Sequence, residues 1–371
     1  MIIVRLRLFQ YRNLKEPDIE LGPGTTLFSG RNGQGKTNVL EAIYFLAYGR
    51  SFRTSTPKDC IRHGGDCCRI EGFVERGDLC RELAVTIDGK EKKLMLMGKS
   101  VPLDEFVGNL HLLAFTHEHL GVVRGSPADR RAFLDRAMVS LYPGHVGNLA
   151  TYGRALRQRN NVLGAIRDGK MAFDGALLDS WDEAVVRPGA RILSSRLKYV
   201  EKMKQYLPHG LFGAQEAKEE LRMHYLATVE GDSADVPDLE ERLRKKLWDA
   251  RGKDRAAGYT SIGPHRDELK LYVNGKSLVD FGSAGQQRSA LLSLYFSQME
   301  IHFNAHGFYP VFLVDDAEAE LDGERLRTFL QYLSCRTQTI LTSAKDFLID
   351  SMPEGTVRYE VGNGEVFPGR V

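Results

Sequence analysis

The sequence Gly30-Arg31-Asn32-Gly33-Gln34-Gly35-Lys36-Thr37 decides the fold class of this chain. It matches the phosphate-binding loop pattern, in which glycines let consecutive backbone N–H groups turn towards an anion at the start of a helix. In this pattern the lysine neutralises the β- and γ-phosphates, and the threonine hydroxyl binds Mg²⁺. A β-branched and aromatic run at 25–28 precedes the loop, and apolar residues at helical spacing follow it up to Gly49. The order strand, loop, helix therefore predicts a nucleotide site in an α/β domain.

A second segment, Val311-Phe312-Leu313-Val314-Asp315-Asp316, has the composition of a parallel strand that is buried on both faces. A carboxylate that follows such a strand lies at the carboxyl edge of the sheet, where ligands bind in open α/β folds. We expect Asp315 to hold Mg²⁺ together with Thr37, and Asp316 to orient the attacking water. An apolar strand followed by Asp is common, so the phosphate-binding loop is what makes this assignment specific.

A third segment, Phe281-Gly282-Ser283-Ala284-Gly285-Gln286-Gln287-Arg288, precedes an apolar helical pattern. A Ser- and Gly-rich turn at a helix N-terminus can bind an anion. The alternative is a plain helix cap. We favour the anion site because the segment precedes the Asp strand in a chain that also carries a phosphate-binding loop.

The 371 residues suggest two or three domains. Short strand-like runs between 68 and 115 predict an antiparallel meander, residues 126–207 are mainly helical in pattern, and strands return after Gly258. Pro188 and Gly189 are expected to kink or break the last of these helices. We therefore predict a discontinuous α/β domain of residues 1–125 and 255–371, with a mixed sheet and an antiparallel subdomain, and an inserted helical lobe of residues 126–254.

Composition excludes several classes of protein. With 42% hydrophobic and 27% charged residues, the chain is neither collagen-like, nor purely coiled-coil, nor disordered. No apolar run approaches the roughly 18 residues of a membrane span, and the first residues lack a secretory signal pattern. Five cysteines without a Cys-x-x-Cys pair favour a reduced, cytoplasmic protein without a disulfide framework or zinc ribbon.

The net charge of +2 is unevenly distributed, with an excess of Lys and Arg in residues 126–204. Such an excess is typical of a surface that faces a polyanion, although a solvated helical surface explains many of them. Arg154 and Arg157 lie in this segment, and charge reversal there would test whether it contacts a polyanion.

In their order along the chain, the three segments and the following Ala319-Glu320-Leu321-Asp322 resemble the ATPase heads of ABC-type proteins. Finer similarities are to the RecF family of bacterial DNA replication and repair proteins, and they cover almost the whole chain. The segments that carry them are Tyr11-Arg12-Asn13-Leu14, Thr37-Asn38-Val39-Leu40-Glu41-Ala42-Ile43, Gly49-Arg50-Ser51-Phe52-Arg53, Gly125-Ser126-Pro127, Arg130-Arg131-Ala132-Phe133-Leu134-Asp135, Gln158-Arg159-Asn160, Gly258-Tyr259-Thr260 and Gly263-Pro264-His265-Arg266-Asp267.

The resemblance implies an SMC-like ATPase head without a long coiled coil, with ATP and Mg²⁺ as ligands. It implies two functional groups of residues in the nucleotide site. The nucleotide-binding residues would be Gly30, Arg31, Asn32, Gly33, Gln34, Gly35, Lys36, Thr37 and Asn38, and the catalytic residues would be Lys36, Asp315 and Asp316. Heads of this kind dimerise around ATP, so Ser283, Gly285 and Gln286 of a second subunit would complete the site, with Asp322 at the dimer seam.

The implied function is ATP-dependent binding to single- and double-stranded DNA and to gap junctions, with slow, DNA-stimulated ATP hydrolysis for release. RecR, RecO and RecA are the implied partners, with RecA loading at gaps as the implied task. The alternative is the ATPase subunit of a membrane transporter. The inserted lobe argues against it, as does Thr342-Ser343 at the place where transporter heads carry a switch histidine.

Several other residues have weaker interpretations. His265 and Arg266 either contact nucleotide or brace the fold, and Arg12 is expected near the phosphates. Arg53 and Arg62 either line the site or are solvated. His117 and His119 flank Glu118, but two histidines at this spacing without another ligand favour surface residues over a metal site.

Overall fold

The computed structural model describes residues 1–369 except 90, 143, 208–218, 230, 232, 317–322 and 345–351. The chain folds into two compact units. Unit 1 consists of residues 1–120 and 299–371, and unit 2 consists of residues 121–298.

The elements up to residue 120 are mainly strands. They are β1 (Ile2–Phe9), β2 (Asp18–Glu20), β3 (Thr25–Ser29), α1 (Lys36–Tyr48), β4 (Cys67–Arg76), β5 (Leu79–Asp88), β6 (Lys92–Leu96), β7 (Lys99–Ser100), α2 (Leu103–Phe106) and β8 (Leu112–Phe115), with 3₁₀ turns at Pro57–Cys60 and His117–Leu120.

The elements of the following segment are mainly helices. They are α3 (Gly121–Arg124), α4 (Pro127–Met138), α5 (His145–Arg167), α6 (Gly175–Tyr206), β9 (Leu221–Leu226), α7 (Val236–Ala257), β10 (Glu268–Val273), β11 (Lys276–Ser277), α8 (Leu278–Phe281) and α9 (Ala284–His306). The chain then forms β12 (Val311–Val314), α10 (Gly323–Ser334), β13 (Thr339–Ser343), β14 (Val357–Gly362) and β15 (Glu365–Pro368).

The described residues of unit 1 form two six-stranded sheets. One is antiparallel, with the order β2-β1-β4-β5-β6-β7, and the other has the order β15-β14-β3-β13-β12-β8. In the second sheet every pair from β14 to β8 is parallel, and β15 is an antiparallel edge strand. The α/β class with a mixed sheet and an antiparallel subdomain is therefore confirmed.

The helix α1 packs against strands of both sheets, and ten of its 13 residues are buried. The loop before α1 follows β3 directly in the chain and therefore lies at the carboxyl end of that strand. Because β3, β13 and β12 run parallel and adjacent, their carboxyl ends lie at the same edge of the sheet.

Two local predictions were wrong. The run at 110–115 was expected to end the antiparallel meander, but β8 pairs in parallel with β12, and all four of its residues are buried. Pro188 was expected to kink or break a helix; the break does not occur, because α6 continues through Pro188 over 32 residues. Packing compensates for the lost N–H, because α5 and α7 both contact α6 and an added Cβ at Gly189 would lie 2.9 Å from Leu243.

Unit 2 contains the predicted lobe of residues 126–254 and, in addition, residues 121–125 and 255–298, which we predicted to belong to the head. The reason is strand pairing: β9 forms an antiparallel sheet with β10 over six residue pairs. No helix in the described ranges combines the length and apolar character that a membrane crossing requires.

Candidate nucleotide site

The loop between β3 and α1 has a backbone that requires glycine at two positions. Gly30 has φ 143°, and a Cβ built on it would lie 2.4 Å from the carbonyl oxygen of Val361. Gly35 caps α1 at φ 113°, and its Cβ would lie 2.5 Å from Asn13 Oδ1. Any side chain at either position would both strain the backbone and overlap a neighbour. Above Gly33, at φ 79°, the space is open.

Lys36 crosses this loop. Its ammonium donates to the carbonyl oxygens of Gly30 at 2.7 Å and Arg31 at 3.1 Å. The residue is 7% exposed, whereas Arg31, Asn32 and Gly33 are exposed. The positive charge therefore lies against the loop, beside its solvent-facing backbone.

Asn13 holds the loop from outside. Its side-chain amide donates to the carbonyl oxygen of Gln34 at 2.8 Å, and its Oδ1 accepts from Asn38 Nδ2 at 2.7 Å. The Gln34 side chain in turn accepts from the backbone N–H of Asn363 at 2.9 Å. Asn13 thus connects the two ends of the loop. Sequence reasoning assigned it no role, although the segment 11–14 was among those that resemble the RecF family.

The structure brings Thr37 and Asp315 together, as the sequence predicts. Asp315 Oδ1 accepts hydrogen bonds from the hydroxyls of Thr37 at 2.9 Å and Thr342 at 2.7 Å. Burial raises the pKa of Asp315, and this outweighs the opposite effects of the two hydroxyls and of the charges of Arg53 and Lys36. A half-buried carboxylate with two hydroxyl partners therefore lies at the start of α1.

Thr342 also positions the neighbouring Asp316. Its hydroxyl accepts from the backbone N–H of Asp316 at 2.9 Å while it donates to Asp315. Asp316 has φ 50°, an uncommon conformation for a non-glycine residue, and is exposed. Thr342 occupies the position where transporter heads carry a switch histidine. Its hydroxyl bonds hold both aspartates at the end of β12 in place.

Arg12 contacts a buried carboxylate. It donates to both oxygens of Glu41, at 3.0 and 2.6 Å, and Glu41 is fully buried on α1. A third bond of 2.7 Å runs to the carbonyl oxygen of Asp59. Arg53 donates to Asn38 Oδ1 at 2.7 Å and remains partly exposed beside the loop. Arg12 therefore braces the first turns of α1, and Arg53 reaches the residue that follows Thr37.

The Ser283 turn lies in unit 2, at the N-terminus of α9. Ser283 N–H donates to Gln286 Oε1 at 2.9 Å, and Gln286 N–H donates to Ser283 Oγ at 3.2 Å, which is a reciprocal helix cap. The Gln286 amide also donates to Glu219 at 2.6 Å. Ser283 and Ala284 are exposed, and Phe281 is 74% exposed. Both the cap and an accessible turn are therefore present. Asp322 lies outside the described residues, as do the three residues before it.

The histidines singled out in the sequence have structural surroundings. His265 donates through Nε2 to the carbonyl oxygen of Thr260 at 3.1 Å and accepts from the Tyr152 hydroxyl through Nδ1 at 2.6 Å. Burial lowers the pKa of His265 to about 4, so the ring is neutral and braces unit 2. His117 is exposed and His119 is buried beside Thr116. Neither belongs to the one group of three potential metal ligands in the described part of the chain.

Other family-like segments build a buried charge network in unit 2. Arg159 is fully buried and donates to Asp182 at 2.6 Å and to Asp254 at 2.8 Å. Arg196 donates to both oxygens of Asp135, at 2.8 and 2.7 Å. These motif residues hold α4, α5, α6 and α7 together.

Comparisons with known proteins show which family the chain belongs to. The sequence profile of the family described as RecF/RecN/SMC N terminal domain matches residues 2–364. The DNA replication and repair protein RecF of Halothermothrix orenii is 34% identical over 371 residues, with 98% of each chain covered. Among solved structures, one described as the recombination mediator protein RecF-ATPrS in the RecFOR pathway superposes with a TM-score of 0.90 at 28% identity, covering 100% of this chain and 98% of that chain.

A more distant structural relative shows the fold alone. The Smc head domain with an extended coiled coil from Pyrococcus furiosus has a TM-score of 0.57 at 15% identity, with 100% of this chain and 96% of that chain covered. The ATPase-head architecture inferred from the three sequence segments is thereby confirmed. With a family profile over nearly its whole length and a relative that matches at 34% identity, the chain belongs to the RecF family of DNA replication and repair proteins.

Proposed function

We propose that the protein is an ATP-dependent DNA-binding protein of recombinational repair and replication-gap processing. The observation that carries the proposal is the meeting of Thr37 and Asp315 beside the glycine loop of residues 30–35. The names of the relatives, a DNA replication and repair protein and a recombination mediator described with ATPrS, support the same function. No observation favours the ATPase subunit of a membrane transporter.

The residues of the loop fit a nucleoside triphosphate with Mg²⁺. The backbone at Gly33 is exposed with open space above it, and Lys36 supplies positive charge beside it. The hydroxyl of Thr37 and the carboxylate of Asp315 are hard oxygen ligands, the type that Mg²⁺ prefers. When bound, Mg·ATP supplies the phosphoanhydride bond that is hydrolysed. Residues 30–38 would hold its phosphates, and Thr37 and Asp315 would hold the metal.

Asp316 is our candidate for the residue that orients water and accepts its proton. Its carboxylate is exposed at the end of β12, and the Thr342 hydroxyl fixes its backbone. Aspartate is a shorter side chain than the glutamate of transporter ATPases, which reduces its reach. We therefore expect weak, DNA-stimulated ATP hydrolysis that serves release from DNA.

We also propose that ATP drives formation of a homodimer. The turn with Ser283, Gly285 and Gln286 lies at the start of a long helix, where the helix dipole favours an anion. Exposure of Ser283 and of the neighbouring Phe281 supports contact with a second subunit. In this arrangement the turn of one subunit would complete the nucleotide site of the other, with Asp322 at the seam.

A basic surface on unit 2 is our candidate for the DNA contact. Arg154, Arg157 and Arg187 are exposed around an open cavity of about 790 Å³ between α5 and α6. In the described part of the chain, none of the three forms an ion pair with a carboxylate. No base-reading motif accompanies them, so binding would depend on phosphates and on DNA shape. The logarithm of affinity should then fall linearly with the logarithm of salt concentration, and charge reversal at Arg154 and Arg157 should make this slope shallower.

Cooperation with RecR and RecO, and through them with RecA, is the further part of the proposal. It rests on family membership and on the RecFOR pathway named for a structural relative. We also propose a cytoplasmic location, as the cysteine content predicts. All five cysteines are free thiols, which is consistent with a reducing compartment.

Two variants test the proposed function. Lys36→Ala should abolish ATP binding with the fold intact, whereas Lys93→Ala, an exposed lysine on β6, should bind ATP as the wild type does. Ser283→Arg should still bind ATP, because its own loop is unchanged, but should not dimerise with a non-hydrolysable analogue in light scattering. Its ATP-stimulated binding to gapped DNA should be lost as well. ATP affinity that survives Lys36→Ala would overturn the nucleotide site, and a Ser283→Arg dimer would overturn the shared site.

A further inference from the structure

Three histidines from distant parts of the sequence converge in unit 1. His111 precedes β8, and His302 and His306 lie one helical turn apart on α9. The three ring centroids are 4.7–4.8 Å from one another, and one nitrogen of each ring lies within 4.8 Å of the other two. His111 and His302 are buried, and His306 is half-buried. This cluster is separate from the nucleotide site and unrelated to the proposed function.

Two neutral rings, His111 and His302, do not supply enough N–H groups for all the hydrogen-bonding positions that their nitrogens occupy. His111 Nε2 lies 3.0 Å from the carbonyl oxygen of Gly108, and His302 Nδ1 lies 2.9 Å from that of Phe308. Because a carbonyl can only accept, both of these nitrogens carry the ring proton. The remaining nitrogens, His111 Nδ1 and His302 Nε2, are then unprotonated, yet they face each other at 2.6 Å. Two lone pairs at this distance require a cation between them, either a third proton or a metal ion.

A third proton is disfavoured here. It would place a charged imidazolium in a cluster where His111 and His302 are 5% and 4% exposed and where the described ligand group contains no carboxylate to pair with it. The convergent lone pairs remain to be satisfied by another cation.

We propose that His111, His302 and His306 form a zinc-binding site. Neutral imidazole nitrogens are ligands of Zn²⁺, and three of them leave a fourth tetrahedral position for water or another ligand. The outer N–H groups of His111 and His302 are held by backbone carbonyls, which is the arrangement that orients metal-binding histidines and fixes their tautomer. The cluster contains no carboxylate, so Mg²⁺ is a poor fit.

The rings must rotate to admit the ion. Tetrahedral ligands at Zn–N distances of about 2.05 Å lie about 3.3 Å apart. The pair His111 Nδ1 and His302 Nε2 must therefore separate from 2.6 Å, and ligand nitrogens that lie up to 4.8 Å apart must approach. Phe308 packs against all three rings at 5.1–5.7 Å and gives the site an apolar wall.

The site would connect the start of β8 with the end of α9. β8 is the neighbour of β12, the strand that leads into Asp315. A bound zinc would thus act as a structural clip that stabilises unit 1, since an ion that binds only the folded protein raises its stability.

The test uses the full chain after treatment with a chelator. Titration with Zn²⁺ should reach one equivalent bound by the histidine site, and the midpoint of thermal unfolding should rise. The absorption spectrum of Co²⁺ bound in place of Zn²⁺ shows whether the ligands are histidines or cysteines. It should contain visible d–d bands and no thiolate charge-transfer band. This separates the site from the five free cysteines.

Two variants of the cluster and one control complete the test. His306→Ala removes the half-buried ligand and is the change least able to disturb the fold, and His302→Gln serves as a second variant. Each should weaken Zn²⁺ binding at least about 10-fold and remove the zinc-dependent rise in melting temperature. His117→Ala, an exposed histidine outside the cluster, should behave as the wild type does. A wild-type chain that binds no zinc, binds it with thiolate bands, or binds it equally well as His306→Ala overturns the proposal.

Discussion

Replacement of Asn13 by alanine tests whether the phosphate-binding loop is ordered in advance by a residue outside it. The wild-type side chain makes two bonds of 2.8 and 2.7 Å, to the Gln34 carbonyl oxygen and from the Asn38 amide. A hydrogen bond of this type contributes about 0.5–1.5 kcal/mol net, so the loss of both would cost about 1–3 kcal/mol. The affected groups lie on either side of Lys36 and Thr37. The cost therefore falls on the conformation that presents the loop N–H groups to phosphate.

At about 1.4 kcal/mol for each factor of ten, Asn13→Ala should weaken ATP binding about 5- to 150-fold. The assay is equilibrium binding of a fluorescent ATP analogue in the presence of Mg²⁺, with circular dichroism to confirm the fold. Asn304→Ala is the matched control, because its exposed amide donates within α9, to the Glu300 carbonyl oxygen at 2.8 Å. A folded Asn13→Ala protein with wild-type affinity for ATP would refute the argument that Asn13 preorganises the loop.

Three further predictions concern catalysis, stability and pH. Asp316→Asn should still bind ATP, but its hydrolysis rate, measured by phosphate release, should fall by a factor of at least about 10², because an amide cannot accept the proton of water. Unchanged turnover would exclude this role. Arg159→Met should lower the free energy of unfolding, measured in urea, by about 3–5 kcal/mol, because Asp182 and Asp254 lose the partner that they share. Arg157→Met, on the same helix, is the control and should have little effect. Burial raises the pKa of Asp135, but the charge of Arg196 and the hydrogen bonds from His145 and Arg196 prevail and bring it to about 2. Stability from this carboxylate is complete above its unfolded pKa near 4 and is lost as the pH falls from about 4 to about 2, so Asp135→Asn should flatten the acid limb of the stability profile.

Local patterns in the chain were enough for the fold class and for part of the site. Gly30 and Gly35 adopt the positive φ values that a phosphate-binding loop needs. The sequence indicates this conformation directly, because glycine is the residue that adopts positive φ without steric cost. The apolar run at 311–314 is a buried parallel strand, because a strand covered on both faces carries no polar residue. From these two elements alone, the approach of Thr37 to Asp315 could be predicted.

Contacts between distant segments could not be predicted in this way. Asn13 and Thr342 are ordinary polar residues whose roles depend on which loop and which carboxylate the strand order brings within 3 Å. The run at 110–115 has the same apolar composition whether it ends a meander or pairs with β12, so only the assembled sheet decides.

The histidines illustrate the same limit. His117 and His119 lie close in sequence, yet they belong to no described three-ligand cluster. His111 and His302 are 191 positions apart, and their nitrogens face each other at 2.6 Å. Proximity along the chain constrains only a few ångströms of backbone, whereas the packing of α9 beside the start of β8 determines which side chains share a buried volume. Sequence therefore specifies backbone conformation and burial at single positions, and tertiary packing decides which polar groups meet.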